Sequence, residues 1–169
     1  MTSNITFTDA IKAMRDFIAA EITVMKSGAF KQYHGWHSLN HFIVETGQEF
    51  EPTPLPDTIA YMEQKQCYRN ATMLMIDDPD RFVYCEGVGL TSWWPMHHAW
   101  VWDRSRRCVV DPTWRFDNDH PPSAYIGIPF TEAYVRTALV DKETYGLVDD
   151  WTGRWPLLSL DPSEYRAAL

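Results

Sequence analysis

Cysteine is scarce in this chain. Three cysteines cannot all pair with one another, so a disulfide framework is not the basis of the fold. No run of about 18 apolar residues occurs, and no charged-then-apolar leader precedes the first amphipathic segment. Neither a membrane span nor a secretory signal is therefore expected, and a cytoplasmic location with reduced thiols follows. In that setting Asn4-Ile5-Thr6 and Asn70-Ala71-Thr72 match a glycosylation sequon without meaning. Basic charge is also short: 15 Lys and Arg stand against 23 Asp and Glu, a net charge of −8. A phosphate backbone would be repelled by that balance, so no nucleic-acid partner is expected. Arg104, Arg106 and Arg107 are the nearest thing to a basic patch and read as a solvated hairpin turn. Repeats and low-complexity tracts are absent.

What is present is apolar and aromatic. Hydrophobic residues make up 45% and aromatic residues 14%, including eight Trp, across 169 residues. That composition suits one domain over residues 1–169 with a sizeable core. The large rings serve either a stiff core or an aromatic-lined cleft. Ile11, Met14, Phe17, Ile18, Ile22 and Met25 recur at helical spacing and predict a helix over 9–26, with Thr8 as candidate N-cap and Gly28 past its end. A shorter helix is expected over 37–46. Pro52, Pro54 and Pro56 impose an extended segment, and Asp57 is placed to cap a short helix through Met62. An apolar helical pattern then runs from Cys67 to Ile76 and stops at Asp77-Asp78-Pro79.

From Phe82 onward the character is that of strands. Residues 82–90, 97–103 and 107–111 are rich in Val, Trp and Tyr, and the last two form an expected hairpin about Asp103-Arg104-Ser105-Arg106. A further strand is expected at Tyr125–Ile128 and a helix over 131–140. The tail from Asp141 reads as irregular, with Trp151 and Trp155 packing back as a cover. Helices first and an antiparallel sheet after them define an α+β domain.

Three residues in this layout suit catalytic work. Cys67 lies where a polar loop becomes a helix; unpaired N–H groups there favour a thiolate and can stabilise an oxyanion. A lone cysteine is more often an inert core residue. His97 and His98 are adjacent on a strand and point to opposite faces, so at most one meets Cys67, and spacing alone leaves the choice open. Asp111 ends the second hairpin strand within side-chain reach of the histidine strand, where a carboxylate can fix an imidazole tautomer.

Taken together, Gln66-Cys67-Tyr68, His98-Ala99-Trp100-Val101 and Val110-Asp111-Pro112-Thr113 resemble the transglutaminase-like branch of the papain-type cysteine enzymes. The resemblance covers residues 57–115. It implies a papain-like core over about residues 57–130, with Cys67 as nucleophile, His98 as base and then acid, and Asp111 as orienter. It implies no metal and no organic cofactor. Tyr68 stands where the branch commonly has tryptophan, and flanking β-domains are missing, so small-scale amide, ester or thioester chemistry is expected rather than protein cross-linking. The expected partner is a peptide, a protein or a small amide or ester substrate. The competing expectation is a non-catalytic binding module or inhibitor on the same fold.

Other residues attach to that reading. Gln66 is a candidate side-chain oxyanion donor, while the Cys67 backbone N–H is the safer one. Trp93, Trp94 and Tyr125 are candidates for lining a substrate groove, with core packing as the alternative. Glu86 either faces the cleft or faces solvent, and Asn70 is expected to bond a neighbouring loop. Cys85 and Cys108 read as buried bystanders. His37, His41 and Glu45 fall at i, i+4 and i+8, a conceivable metal face that lacks a second ligand segment and is explained by exposed helix polarity.

Overall fold

The structure, a computed structural model, describes residues 5–28, 32, 34–91, 94–116, 121–150 and 152–169. The first helix, α1, spans Phe7–Ser27 and is capped by Thr6, whose hydroxyl accepts the Asp9 N–H. Thr8 was the expected cap. It lies inside the helix, because Thr6 also donates its own hydroxyl proton to the Asp9 carboxylate at 2.6 Å and so fixes the start earlier. α2 covers Leu39–Thr46 with Ser38 as N-cap. Over 57–62 no helix forms. A single turn closes from Ile59 N–H to Pro56 carbonyl, and Met62 N–H donates instead to the distant Pro112 carbonyl.

α3 covers Cys67–Asp77. Five strands follow or precede it: β1 Gln48–Phe50, β2 Phe82–Thr91, β3 Trp94–Asp103, β4 Cys108–Val110 and β5 Pro122–Pro129. All neighbours are antiparallel and lie in the order β1-β5-β2-β3-β4. α4 covers Glu132–Lys142, and short 3₁₀ turns at Pro156–Ser159 and Pro162–Glu164 punctuate the tail. The architecture is α+β, as the order of periodicities predicts. β1 has only three residues and no alternation to betray it. Trp93 and Trp151 lie outside the described residues.

Register assigns the two faces of the sheet. Glu86 pairs with Ala99 and Ile128, and Gly87 with His98 and Gly127. Tyr84, Val88, Ala99, Val101, Ile126 and Ile128 therefore share the face that buries α1 through Met14 and Ile18 and α3 through Ala71 and Met75. The opposite face carries Trp100, Tyr125 and Cys85, packed with Phe50 and Val109 and flanked by Trp102 and Trp114. Three of the eight tryptophans, Trp100, Trp102 and Trp114, thus build a second, aromatic core on the face that carries His98. Cys85 is fully buried as expected, but Cys108 is only half-buried at the edge strand.

Asp103 shapes the hairpin that joins β3 to β4. Its Oδ1 accepts from Ser105 and Arg106 N–H groups, and its Oδ2 accepts two N–H bonds from Arg81. The three arginines of the turn, Arg104, Arg106 and Arg107, are exposed. Among the described residues no helix is long and apolar enough to cross a membrane.

Candidate active site

Cys67 is the first residue of α3 and is half-buried. The helix's first backbone bond runs from Asn70 N–H to Gln66 carbonyl at 2.8 Å. The N–H groups of Cys67, Tyr68 and Arg69 therefore precede the helical ladder, as at any helix start. Lys65, two residues earlier, holds a left-handed φ of 64°, which turns the chain sharply into the helix.

His98 sits mid-strand on β3 and is 1% exposed. Its Nε2 donates to Asp111 Oδ2 at 2.7 Å, a short charge-assisted bond. The Cys67 side chain lies close enough to the same imidazole to raise its pKa. With Nε2 committed to Asp111, Nδ1 is the nitrogen left to face the sulfur. The reason the histidine and aspartate meet is the hairpin register. Val101 pairs with Val110, so one step further Asp111 lies across from Trp100 and diagonal to His98, on one face.

Asp111 is held as an anion from all sides. Oδ2 accepts from His98 and from the Tyr125 hydroxyl at 2.8 Å, and Oδ1 accepts the N–H groups of Thr113 and Trp114 at 2.8 and 3.1 Å. Burial pushes its pKa up, but the charge and hydrogen bond of His98 and the two backbone donors outweigh that, and the net shift is downward. For His98, burial pulls the other way. Desolvation disfavours the imidazolium, while the Asp111 charge, the Asp111 hydrogen bond and the contact with Cys67 raise its pKa to about 9.

Aromatic rings wall the imidazole. Trp114 stacks on it with centroids 3.7 Å apart and planes 10° from parallel, and Trp100 and Tyr125 lie behind at 6.4 and 5.9 Å. Space for Trp114 comes from Gly89, where a Cβ would stand 2.5 Å from the indole ring. Such stacking fixes the ring plane and favours its charged form.

Of the adjacent histidines, only His98 reaches Asp111 and the thiol. His97 turns to the helix face, where its Nε2 bonds Asn40 Oδ1 at 2.9 Å, and burial lowers its pKa against the opposing charges of Asp149 and Glu21. Gln66 is exposed at the helix N-cap, and its side chain makes no capping bond. Tyr125, a candidate for either a groove or the core, is fully buried in the aromatic core, where β5 directs it, and donates to Asp111. Trp94 is 64% exposed at the start of β3, with its ring edge-on to Phe17 at 4.9 Å.

Glu86 faces neither cleft nor solvent. It is buried under the helix layer and accepts from the Tyr84 hydroxyl and from Leu147 and Val148 N–H groups at 2.7–2.8 Å. Burial raises its pKa to about 7 despite those donors. The conceivable metal face does not form either. His37 precedes α2 and donates its backbone N–H to His41 Nδ1, so it shares no helix face with His41 and Glu45. Among the described residues no group of three His, Cys, Asp or Glu side chains is placed to hold a metal ion.

Asn70 is a buried connector. Its Nδ2 donates to the Glu63 carbonyl at 2.7 Å and to Thr113 Oγ1 at 2.9 Å. Thr113 and Trp114 lie two and three residues beyond Asp111, and in sequence only the Val110-Asp111-Pro112-Thr113 motif pointed to that stretch. Compared with known proteins, the chain matches no family model, no curated protein and no solved structure.

Proposed function

We propose that the chain is a cysteine-nucleophile hydrolase or acyltransferase, transglutaminase-like in its chemistry, that attacks an amide, ester or thioester. The observation that supports this best is the His98 imidazole, bonded to buried Asp111 through Nε2 and near enough to the Cys67 side chain for the two to interact. A structural histidine needs no such partner at the start of a helix.

The chemistry follows from that arrangement. The Cys67 proton passes to His98 Nδ1, giving a thiolate beside an imidazolium whose charge Asp111 offsets. The sulfur attacks the substrate carbonyl, and the oxyanion is met by the Cys67 backbone N–H at the positive end of α3. His98 returns its proton to the leaving amine, alcohol or thiol as the carbonyl re-forms, leaving an acyl group on sulfur. Water or an amine, deprotonated by His98, then attacks the thioester and releases Cys67. Asp111 stays ionised throughout and holds the proton on Nε2. No step calls for a metal or organic cofactor.

The test is acyl-adduct mass spectrometry with an activated aryl ester. The wild type should accumulate one acyl group on Cys67, Cys67→Ala none, and His98→Gln far less. Equal labelling of wild type and His98→Gln would reject the assignment and leave the binding-module reading in its place.

A further inference from the structure

The cysteine and the histidine–aspartate pair belong to different elements, α3 and the β3–β4 hairpin, and nothing covalent sets their separation. What spans them is a short polar bridge. Asn70, one turn into α3 and fully buried, donates from Nδ2 to Thr113 Oγ1 at 2.9 Å. Thr113, 6% exposed, donates its own backbone N–H to Asp111 Oδ1 at 2.8 Å, and Asp111 holds His98. The same Nδ2 bonds the Glu63 carbonyl, and one residue earlier Met62 N–H reaches Pro112 carbonyl at 2.8 Å. The loop that leads into Cys67 is thus laced to the loop that leaves Asp111, and Asn70 is the side chain common to both.

Resting on the reading of Cys67 as nucleophile, we infer that Asn70 and Thr113 are positioning residues that set the Cys67–His98 contact and thereby the reactivity of the thiol. Neither touches the reacting atoms. The short, branched Thr113 side chain has few rotamers, and Asn70 makes two bonds from one nitrogen at a buried position, so the bridge tolerates little slack. Without it, α3 keeps its apolar seat through Ala71 and Met75, but its first turn is free to shift relative to His98. Ion-pair attraction between sulfur and ring falls steeply with such a shift.

The experiment is the pH profile of iodoacetamide alkylation at Cys67, followed by mass spectrometry of the Cys67 peptide so that Cys85 and Cys108 do not interfere. Wild type should show a limb of alkylation near pH 6 that His98→Gln lacks. Asn70→Ala and Thr113→Val should each lose it, with the rate at pH 6 falling about tenfold or more. Thr113→Ser, which keeps the hydroxyl, should restore the wild-type profile. In a His98→Gln background, Asn70→Ala should change the profile no further. Should the isosteric Thr113→Val and Asn70→Ala keep the low-pH limb, or should Asn70→Ala act equally without His98, the positioning role is overturned while the nucleophile assignment stands. If wild type is alkylated at pH 6 no faster than His98→Gln, the enzyme reading falls, and the positioning role with it.

Discussion

Burial alone would discharge His98, and a neutral imidazole at that site would be an ordinary core residue. The Asp111 charge reverses the outcome, with the folded pKa at about 9 against 6.5 for an unperturbed histidine. A folded pKa above the unfolded one means stability that is fully present below pH 6.5 and is lost as pH rises through about 9. Between those limits the unfolding free energy of wild type should therefore fall, and His98→Gln should lack that slope in urea titrations. Parallel curves for the two proteins would remove the imidazolium from the folded state. For catalysis, Asp111→Asn keeps the shape but not the charge or the tautomer. It should slow acylation of Cys67 on the order of 10²–10⁴-fold in single-turnover assays. A loss below threefold would mean that Asp111 orients nothing.

Elements succeed here through what they leave out as much as through what they carry. β2 lays two glycines, Gly87 and Gly89, along the face that holds His98. At Gly87 a Cβ would stand 2.2 Å from the Ile126 carbonyl oxygen, and at Gly89 it would meet the tip of Trp114. Backbone cannot retreat as a ring can, so the two alanine variants should differ. Gly87→Ala should lower stability by about 1–3 kcal/mol in denaturant midpoints. Gly89→Ala should instead lift Trp114 off His98 and weaken the Cys67 alkylation limb. Between the glycines and Tyr84, Glu86 clamps the chain after α4 by accepting the Leu147 and Val148 N–H groups. Glu86→Ala orphans buried donors and should cost about 1–3 kcal/mol for each N–H left unpaired. No change in midpoint would show that water replaces the carboxylate freely.

At the scale of the whole molecule, the last fourteen residues complete the core. Leu157, Leu158, Tyr165 and Ala167 are buried there. Backbone bonds join Thr131 N–H to Tyr165 carbonyl and Ala167 N–H to Pro129 carbonyl, and Arg166 reaches the Thr46 carbonyl with its guanidinium. The tail therefore ties the end of β5 to the end of α2. Deleting residues 156–169 should abolish the cooperative thermal transition seen by circular dichroism, since it uncovers apolar surface on two elements at once. A truncated chain with an unchanged midpoint would make the tail an accessory. Net charge, by contrast, enters only weakly, for the ion pairs Lys12–Asp16 and Arg136–Glu132 lie on exposed helix faces.

Periodicity and local chemistry determined much of this protein without any fold. The apolar stripe of α1, the helix beginning at Cys67, the Val- and Trp-rich strands and the Asp103 turn all follow from neighbours in the chain, and short-range physics is written in short-range pattern. Tertiary structure decided everything that depends on facing. Whether His97 or His98 meets the carboxylate is a matter of sheet register, since adjacent strand residues differ only in the side they present. Tyr125 becomes a buried donor to Asp111, and Glu86 a clamp on Leu147 and Val148, only because β5 and the chain after α4 arrive from far along the sequence. Asn70 finds Thr113 across 43 residues for the same reason. A residue's chemistry is fixed by its type, but its partner is fixed by the strand that happens to lie beside it.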